Sequence, residues 1–134
     1  DGFGGSGEPV RCLGLTVRPN GRPDSHINNG QPQLLEIGPS GCQWSAAQRM
    51  ADGRMIAVGA TLGGVEADFI VARYRADGSL DPSFGHGHGW LRTRLGRSLD
   101  TANSLAVQPD GAILAGGYSL DGNYRAMVAR YLNQ

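Results

Sequence analysis

The chain reads as all-β, built from repeated antiparallel strand units, on three grounds. Asp-Gly or Asn-Gly falls between apolar runs at Asn20-Gly21, Asn29-Gly30, Asp52-Gly53, Asp77-Gly78, Asp110-Gly111 and Asp121-Gly122. Gly accepts a positive φ and Asp or Asn caps the turn, which makes the pair a strong local hairpin signal. No stretch of ten or more residues keeps a helical period free of Gly; the nearest, Asn103–Ala112, is interrupted by Pro109. The third observation is an internal repeat.

Val71-Ala72-Arg73-Tyr74 recurs as Val128-Ala129-Arg130-Tyr131, at an offset of 57. Arg49–Thr61 matches Val107–Ser119 at an offset of 58: Asp52-Gly53 maps to Asp110-Gly111, Ala57 to Ala115 and Gly59 to Gly117. A weaker copy, Asn20–Gly30, falls on Asp77–Gly87 at the first of these offsets. Asn20 there replaces Asp77, while Gly21 and Asp24 match Gly78 and Asp81. Setting Val17–Gly21 against Val107–Gly111 is an alternative register; the first matches a longer stretch. Phe3-Gly4-Gly5 reads as the tail of a further truncated copy. The expected organisation is a degenerate partial repeat at 1–40, a first repeat at 41–95 and a second at 96–134.

The expected strands are, in order, Arg11–Val17, Gln33–Ile37, Trp44–Arg49, Arg54–Ala60, Asp68–Arg75, Gly89–Leu95, Asn103–Val107, Ala112–Tyr118 and Tyr124–Leu132. Met55–Gly59 and Ile113–Gly117 are apolar on both faces, which suits strands covered on both sides. Trp90–Leu95 alternates, with Leu91 and Leu95 on one side and the arginines opposite, which suits a strand with one face on water. Ala57, Gly59, Ala115, Gly116 and Gly117 are small enough to allow close approach of one sheet to another.

Composition bounds the function. The chain has 134 residues, one domain's worth, and 22 are Gly. A chain of this size can bury a core without metals. Apolar residues make up 40%, too many for a disordered chain. Twelve arginines, with no lysine, balance twelve carboxylates. Zero net charge argues against nucleic acid as a partner, because binding phosphates wants excess cations. No apolar run is long enough to span a membrane. No charged and apolar leader opens the chain, so any export signal is expected to have been removed.

With these blocks in view, the chain resembles the delta-60 repeat of bacterial secreted and surface proteins. The resemblance rests on Val107–Ser119 (VQPDGAILAGGYS), on Tyr124–Tyr131 (YRAMVARY) and on Ala76–Gly89 (ADGSLDPSFGHGHG), and it covers about Trp44 to Leu132. It implies four-stranded antiparallel blades of β-propeller type, about two full repeats plus a degenerate N-terminal partial one. It implies no activity. Met50-Ala51 stands where the family has Pro before Asp-Gly, and Ser25-His26-Ile27-Asn28 replaces Pro-Ser-Phe-Gly. With the repeat spaced as it is, the chain holds about 2.3 units, whereas propellers close with about 4–8 blades. Several copies therefore assemble, or the chain belongs to a larger polypeptide, or the nine strands form a self-contained sandwich.

Candidate chemistry is sparse. Cys12 and Cys42 are the only cysteines, and no zinc-like spacing surrounds them. A disulfide is the expected state in an exported, secreted or periplasmic chain; buried free thiols are the alternative in the cytosol. His86-Gly87-His88 places two imidazoles two residues apart, but no third ligand is evident, so no metal is expected. Gly2–Gly7 fits G-x-G-x-x-G without the strand and helix that a dinucleotide site needs. Asp77, Asp81, Asp110 and Asp121 lack the EF-hand spacing and read as turn caps. No G-x-S-x-G, H-E-x-x-H or C-x-x-C occurs, so no catalytic residue and no cofactor is expected. Trp44, Trp90, Tyr74, Tyr118, Tyr124 and Tyr131 are candidate sugar platforms, with Tyr74 and Tyr131, at equivalent repeat positions, read as structural. Trp90, with His86 and His88 beside it and Trp44 elsewhere, is the first choice for ligand contact. Three readings follow: a non-catalytic secreted scaffold completed by copies of itself or by a larger partner, a multivalent glycan-binding protein, or an accessory piece of an enzyme.

Overall fold

A computed structural model of the chain describes residues 12–37, 41–62 and 66–133. Among the described residues nine strands run β1 (Cys12–Gly14), β2 (Gln33–Leu35), β3 (Cys42–Arg49), β4 (Met55–Thr61), β5 (Phe69–Tyr74), β6 (Trp90–Thr93), β7 (Leu99–Val107), β8 (Ile113–Asp121) and β9 (Asn123–Tyr131). They form three antiparallel sheets of propeller-blade type, ordered β1-β2, β3-β4-β5-β6 and β7-β8-β9. The truncated copy expected at Phe3-Gly4-Gly5 and the Gly2–Gly7 motif lie outside the described residues.

The turns follow from the Asp-Gly and Asn-Gly pairs. Gly21, Gly30, Gly53, Gly78, Gly111 and Gly122 all take positive φ, between 74° and 89°. The preceding acidic or amide side chain accepts a hydrogen bond from the backbone N–H two residues on: Arg22 to Asn20, Arg54 to Asp52, Ser79 to Asp77 and Ala112 to Asp110, at 2.9–3.1 Å. That bond ties the side chain to its own turn, as expected of an Asx turn.

The repeat is written into the backbone of the N-terminal section. Arg18 N–H to Arg22 O, Gly21 N–H to Arg18 O, Asp24 N–H to Thr16 O and Ile27 N–H to Asp24 O each recur at the offset that carries Val71 onto Val128. The recurrences are Arg75 to Ser79, Gly78 to Arg75, Asp81 to Arg73 and Phe84 to Asp81. The 3-10 turns at Asn28–Gly30 and Gly85–Gly87 share the same offset. This section is therefore built as the last two strands of a four-stranded sheet, with Thr16 where the second sheet has Arg73.

The sheets stack face to face in chain order. One cluster lies between the first and second sheets and contains Cys12, Leu35, Ile37, Cys42, Ala57, Ile70, Ala72 and Tyr74. The second lies between the second and third sheets and contains Ile56, Val58, Phe69, Val71, Phe84, Ala102, Ile113, Ala115 and Tyr131. Alternation explains the split, because successive strand residues point to opposite faces. The Cys12–Cys42 disulfide, with Cα atoms 4.9 Å apart, ties β1 to β3.

Several sequence expectations change, and β1 ends at Gly14 rather than Val17. Ile113–Gly117 is covered on one side only: Ile113 and Ala115 are buried, whereas Leu114 and Gly116 are part-exposed. No described sheet follows the third. Gly59 and Gly117 do not serve sheet-to-sheet approach. A Cβ on Gly59 would lie 1.9 Å from the Gln43 carbonyl oxygen, and one on Gly117 would lie 1.9 Å from that of Thr101. Both clashes are within a sheet, beside the β-bulges at Trp44/Ala46 and Ala102/Ser104. Lastly, β7 begins at Leu99 rather than Asn103, because the bulge carries the strand through a polar stretch that breaks simple alternation.

Candidate functional site

The corner from Asp81 to Trp90 gathers most of the chemistry. Asp81 is buried beneath it. One carboxylate oxygen accepts from the Ser83 backbone N–H at 3.0 Å and from its hydroxyl at 2.6 Å. The other accepts from Arg73 Nε at 2.8 Å. Arg73, though charged, is almost fully enclosed. It also donates to the Ser83 hydroxyl at 2.8 Å and to Asn133 Oδ1 at 2.6 Å. Its guanidinium lies 5.0 Å from the centre of the buried Phe84 ring. Burial alone would push the Asp81 carboxyl up; the Ser83 donors and the Arg73 charge outweigh it and hold the group below the usual carboxylate range. Carboxylate and guanidinium are bound to each other and to their neighbours, so the pair braces the corner.

The corner then turns tightly. Gly85, His86 and Gly87 have φ values of 63°, 56° and 94°. A Cβ on Gly85 would meet the Trp90 carbonyl oxygen at 2.3 Å, so only Gly fits there. The left-handed turn at His86 separates the two histidines. His86 lines a cleft of about 460 Å³ between the corner and the end of β9, with Pro82, Ser83, Leu91, Arg130 and Leu132. His88 lies against Trp90 instead, with ring centres 6.1 Å apart. Among the described residues no group of three or more His, Cys, Asp or Glu side chains is placed to hold a metal ion.

Trp44 and Trp90 are both half-buried and pack on the cluster between the first two sheets. Trp44 also borders a smaller apolar cleft of about 190 Å³, with Leu13, Leu15, Met55, Ala57 and Tyr74. Thr16 lies in its wall, and the Thr16 hydroxyl has no hydrogen-bond partner among the described residues. Burial raises the Tyr74 phenol to about 12. An exposed aromatic pair lies elsewhere: Tyr118 and Tyr124 meet edge to face at 5.4 Å on the third sheet. The structure thus brings His88 to Trp90 but leaves His86 and Trp44 in separate places.

Sequence reasoning passes over the Arg73–Asp81 network. The recurrence of Asp24 with Asp81 and of Arg73 with Arg130 is its only signal. Asp68 is missed as well. It is buried just before β5 and accepts from Arg92 Nε at 2.5 Å and Arg94 Nε at 3.2 Å, which pins Arg92 of β6 and Arg94 just beyond it.

A family model described as a domain of unknown function (DUF5122) beta-propeller matches residues 51–84 and 108–134. The two matched segments contain the β4 and β8 strands and both Val-Ala-Arg-Tyr blocks. No curated protein and no solved structure matches the chain. The disulfide points to an oxidising compartment. Among the described residues no helix is long and apolar enough to cross a membrane.

Proposed function

We propose that this chain is a secreted, non-catalytic scaffold of delta-60 type, whose sheet stack is completed by copies of itself. The observation that carries the reading is the state of the two end sheets. The first and third sheets each present exposed apolar side chains, Leu13 and Leu34 on the first and Tyr118, Tyr124 and Val128 on the third, and Leu15 and Val17 are exposed just beyond β1. Apolar patches of this kind mark interaction surfaces. Of the enclosed ionisable groups, Asp68, Arg73 and Asp81 are bound to one another or to neighbouring residues, which supports a structural role for these three. Asp100 accepts from the Leu95 and Gly96 backbone N–H groups through Oδ2, while its Oδ1 has no hydrogen-bond partner among the described residues. Light scattering on the intact chain tests the reading. A native mass that is a multiple of 14.1 kDa is expected, and a lone 14.1 kDa particle at all concentrations overturns it.

A glycan-binding reading draws on Trp90, whose partly exposed ring lies beside His88. Such a ring can stack on the apolar face of a sugar. A glycan array with the wild-type chain and Trp90→Ala tests it: binding lost in the variant supports it, and a blank array removes it.

A further inference from the structure

Each sheet has a forward side, toward the next sheet, and a backward side, toward the one before. In β5, Phe69 and Val71 point forward into the cluster shared with the third sheet. Ile70, Ala72 and Tyr74 point backward into the cluster shared with the first. The repeat carries this polarity through the stack. Met127, Ala129 and Tyr131 in β9 correspond to Ile70, Ala72 and Tyr74, and they pack backward on the second sheet.

The two ends break the pattern in opposite senses. Val128 corresponds to the wholly buried Val71, yet it is 72% exposed. It sits opposite Gly116 on β8, which in turn pairs with Ser104 on β7. These residues, with Ala106 and Leu114, form a shallow apolar groove on the forward side of the third sheet. Leu13 corresponds to the wholly buried Ile70, yet it is 58% exposed. Leu34, its direct partner across the β1–β2 ladder, is 53% exposed. Cys12 and Leu35, one step along, face the core. Leu13 and Leu34 therefore sit on the backward side of the first sheet.

The forward end is thus equivalent to the surface that the third sheet already covers, and the backward end is equivalent to the surface that does the covering. We infer that the forward face of the third sheet in one copy packs on the backward face of the first sheet in a second copy, head to tail. The inference rests on the assembled-scaffold reading and specifies its interface. Each copy carries one face of each kind, so the contact is heterologous and leaves a face of each kind for the next copy. Zero formal net charge removes the long-range repulsion that would oppose such self-association.

The test uses Leu13→Asp, which blocks the backward face, and Val128→Asp, which blocks the forward face. Both side chains are exposed, and circular dichroism with a thermal melt checks that each variant folds. Leu34→Asp and Tyr124→Asp replace any variant that does not. Light scattering should give an assembled wild type and single chains for each variant alone. An equimolar mixture of the two should give a particle of two chains, because each supplies the face the other lacks. A variant that keeps the wild-type mass, or folded variants whose mixture stays as single chains, overturns the head-to-tail contact while the assembled scaffold stands. A wild type that is itself a single chain overturns both.

Discussion

Arg73 and Arg130 occupy the same place in successive sheets, within the repeated Val-Ala-Arg-Tyr block, but their surroundings differ. The Arg73 side chain is 2% exposed and bound to Asp81, whereas that of Arg130 is 44% exposed. Arg130 reaches back to Gln108 and Asp110 on its own sheet, at 2.5 and 2.8 Å. The position in the repeat is the same, and what differs is whether a following corner and sheet enclose it.

The two arginines therefore separate in their effect on stability. Arg73→Ala leaves the Asp81 carboxylate buried with a main partner gone, and is expected to cost about 3–5 kcal/mol. Arg130→Ala removes a largely solvated pair and is expected to cost at most about 1 kcal/mol. Urea unfolding of both variants under the same conditions checks the contrast, and equal losses would contradict it.

Acid stability follows from the same corner. The folded Asp81 carboxyl lies below its unfolded value of about 3.9. Its contribution is present above that pH and is lost as pH falls through the lower folded value. Melting temperatures should drop below about pH 4. Asp81→Asn should be less stable at neutral pH and should lose less on acidification; a variant as steep as the wild type would exclude Asp81 as a source.

At the alkaline end the sign reverses. Burial raises the Tyr74 phenol from 10.0 to about 12, so the neutral side chain stabilises the fold below pH 10 and that contribution fades between 10 and 12. Tyr131 is raised too, by burial, against a hydrogen bond with the Thr93 hydroxyl at 2.9 Å. Tyr74→Phe should flatten the alkaline decline without removing it, as measured by melts across that range.

The bulge glycines are expected to be intolerant. Gly59→Ala and Gly117→Ala place a methyl against a backbone carbonyl that cannot swing away, and should cost about 3 kcal/mol, the upper part of the overpacking range. Gly116→Ala is the control. The nearest atom to its new methyl is the Ser104 hydroxyl oxygen at 2.8 Å, which a rotamer change can move. It should be nearly neutral in the same denaturation assay.

The disulfide holds the first sheet to the second across a sequence separation of 30 residues. Its removal in a Cys12→Ser, Cys42→Ser variant should cost roughly 3–4 kcal/mol by loop-closure entropy. Hydrogen exchange should show protection lost in β1 and β2 and kept in β4 and β5. Uniform loss throughout would mean that the first sheet is not a separable layer.

The turns and most strand positions are legible in the chain, because both are set locally; the end of β1 at Gly14 and the start of β7 at Leu99 are not. Asp-Gly and Asn-Gly pairs impose their φ values wherever they occur, and two-residue alternation survives without knowledge of a neighbour. In the structure, Asp24 and Asp81 accept equivalent hydrogen bonds, from the His26 and Ser83 backbone N–H groups, at the repeat offset. The candidate site was only partly legible. His86 and His88 read as a pair, yet the left-handed turn at His86 sends one to a cleft and the other to Trp90. Which apolar faces are covered depends on how whole sheets stack. Val71 and Val128, or Ile70 and Leu13, are alike as letters in a pattern; burial depends on whether another sheet lies against them. The role of Gly59 was also hidden, since a close carbonyl across a bulged ladder leaves no periodic trace in the chain.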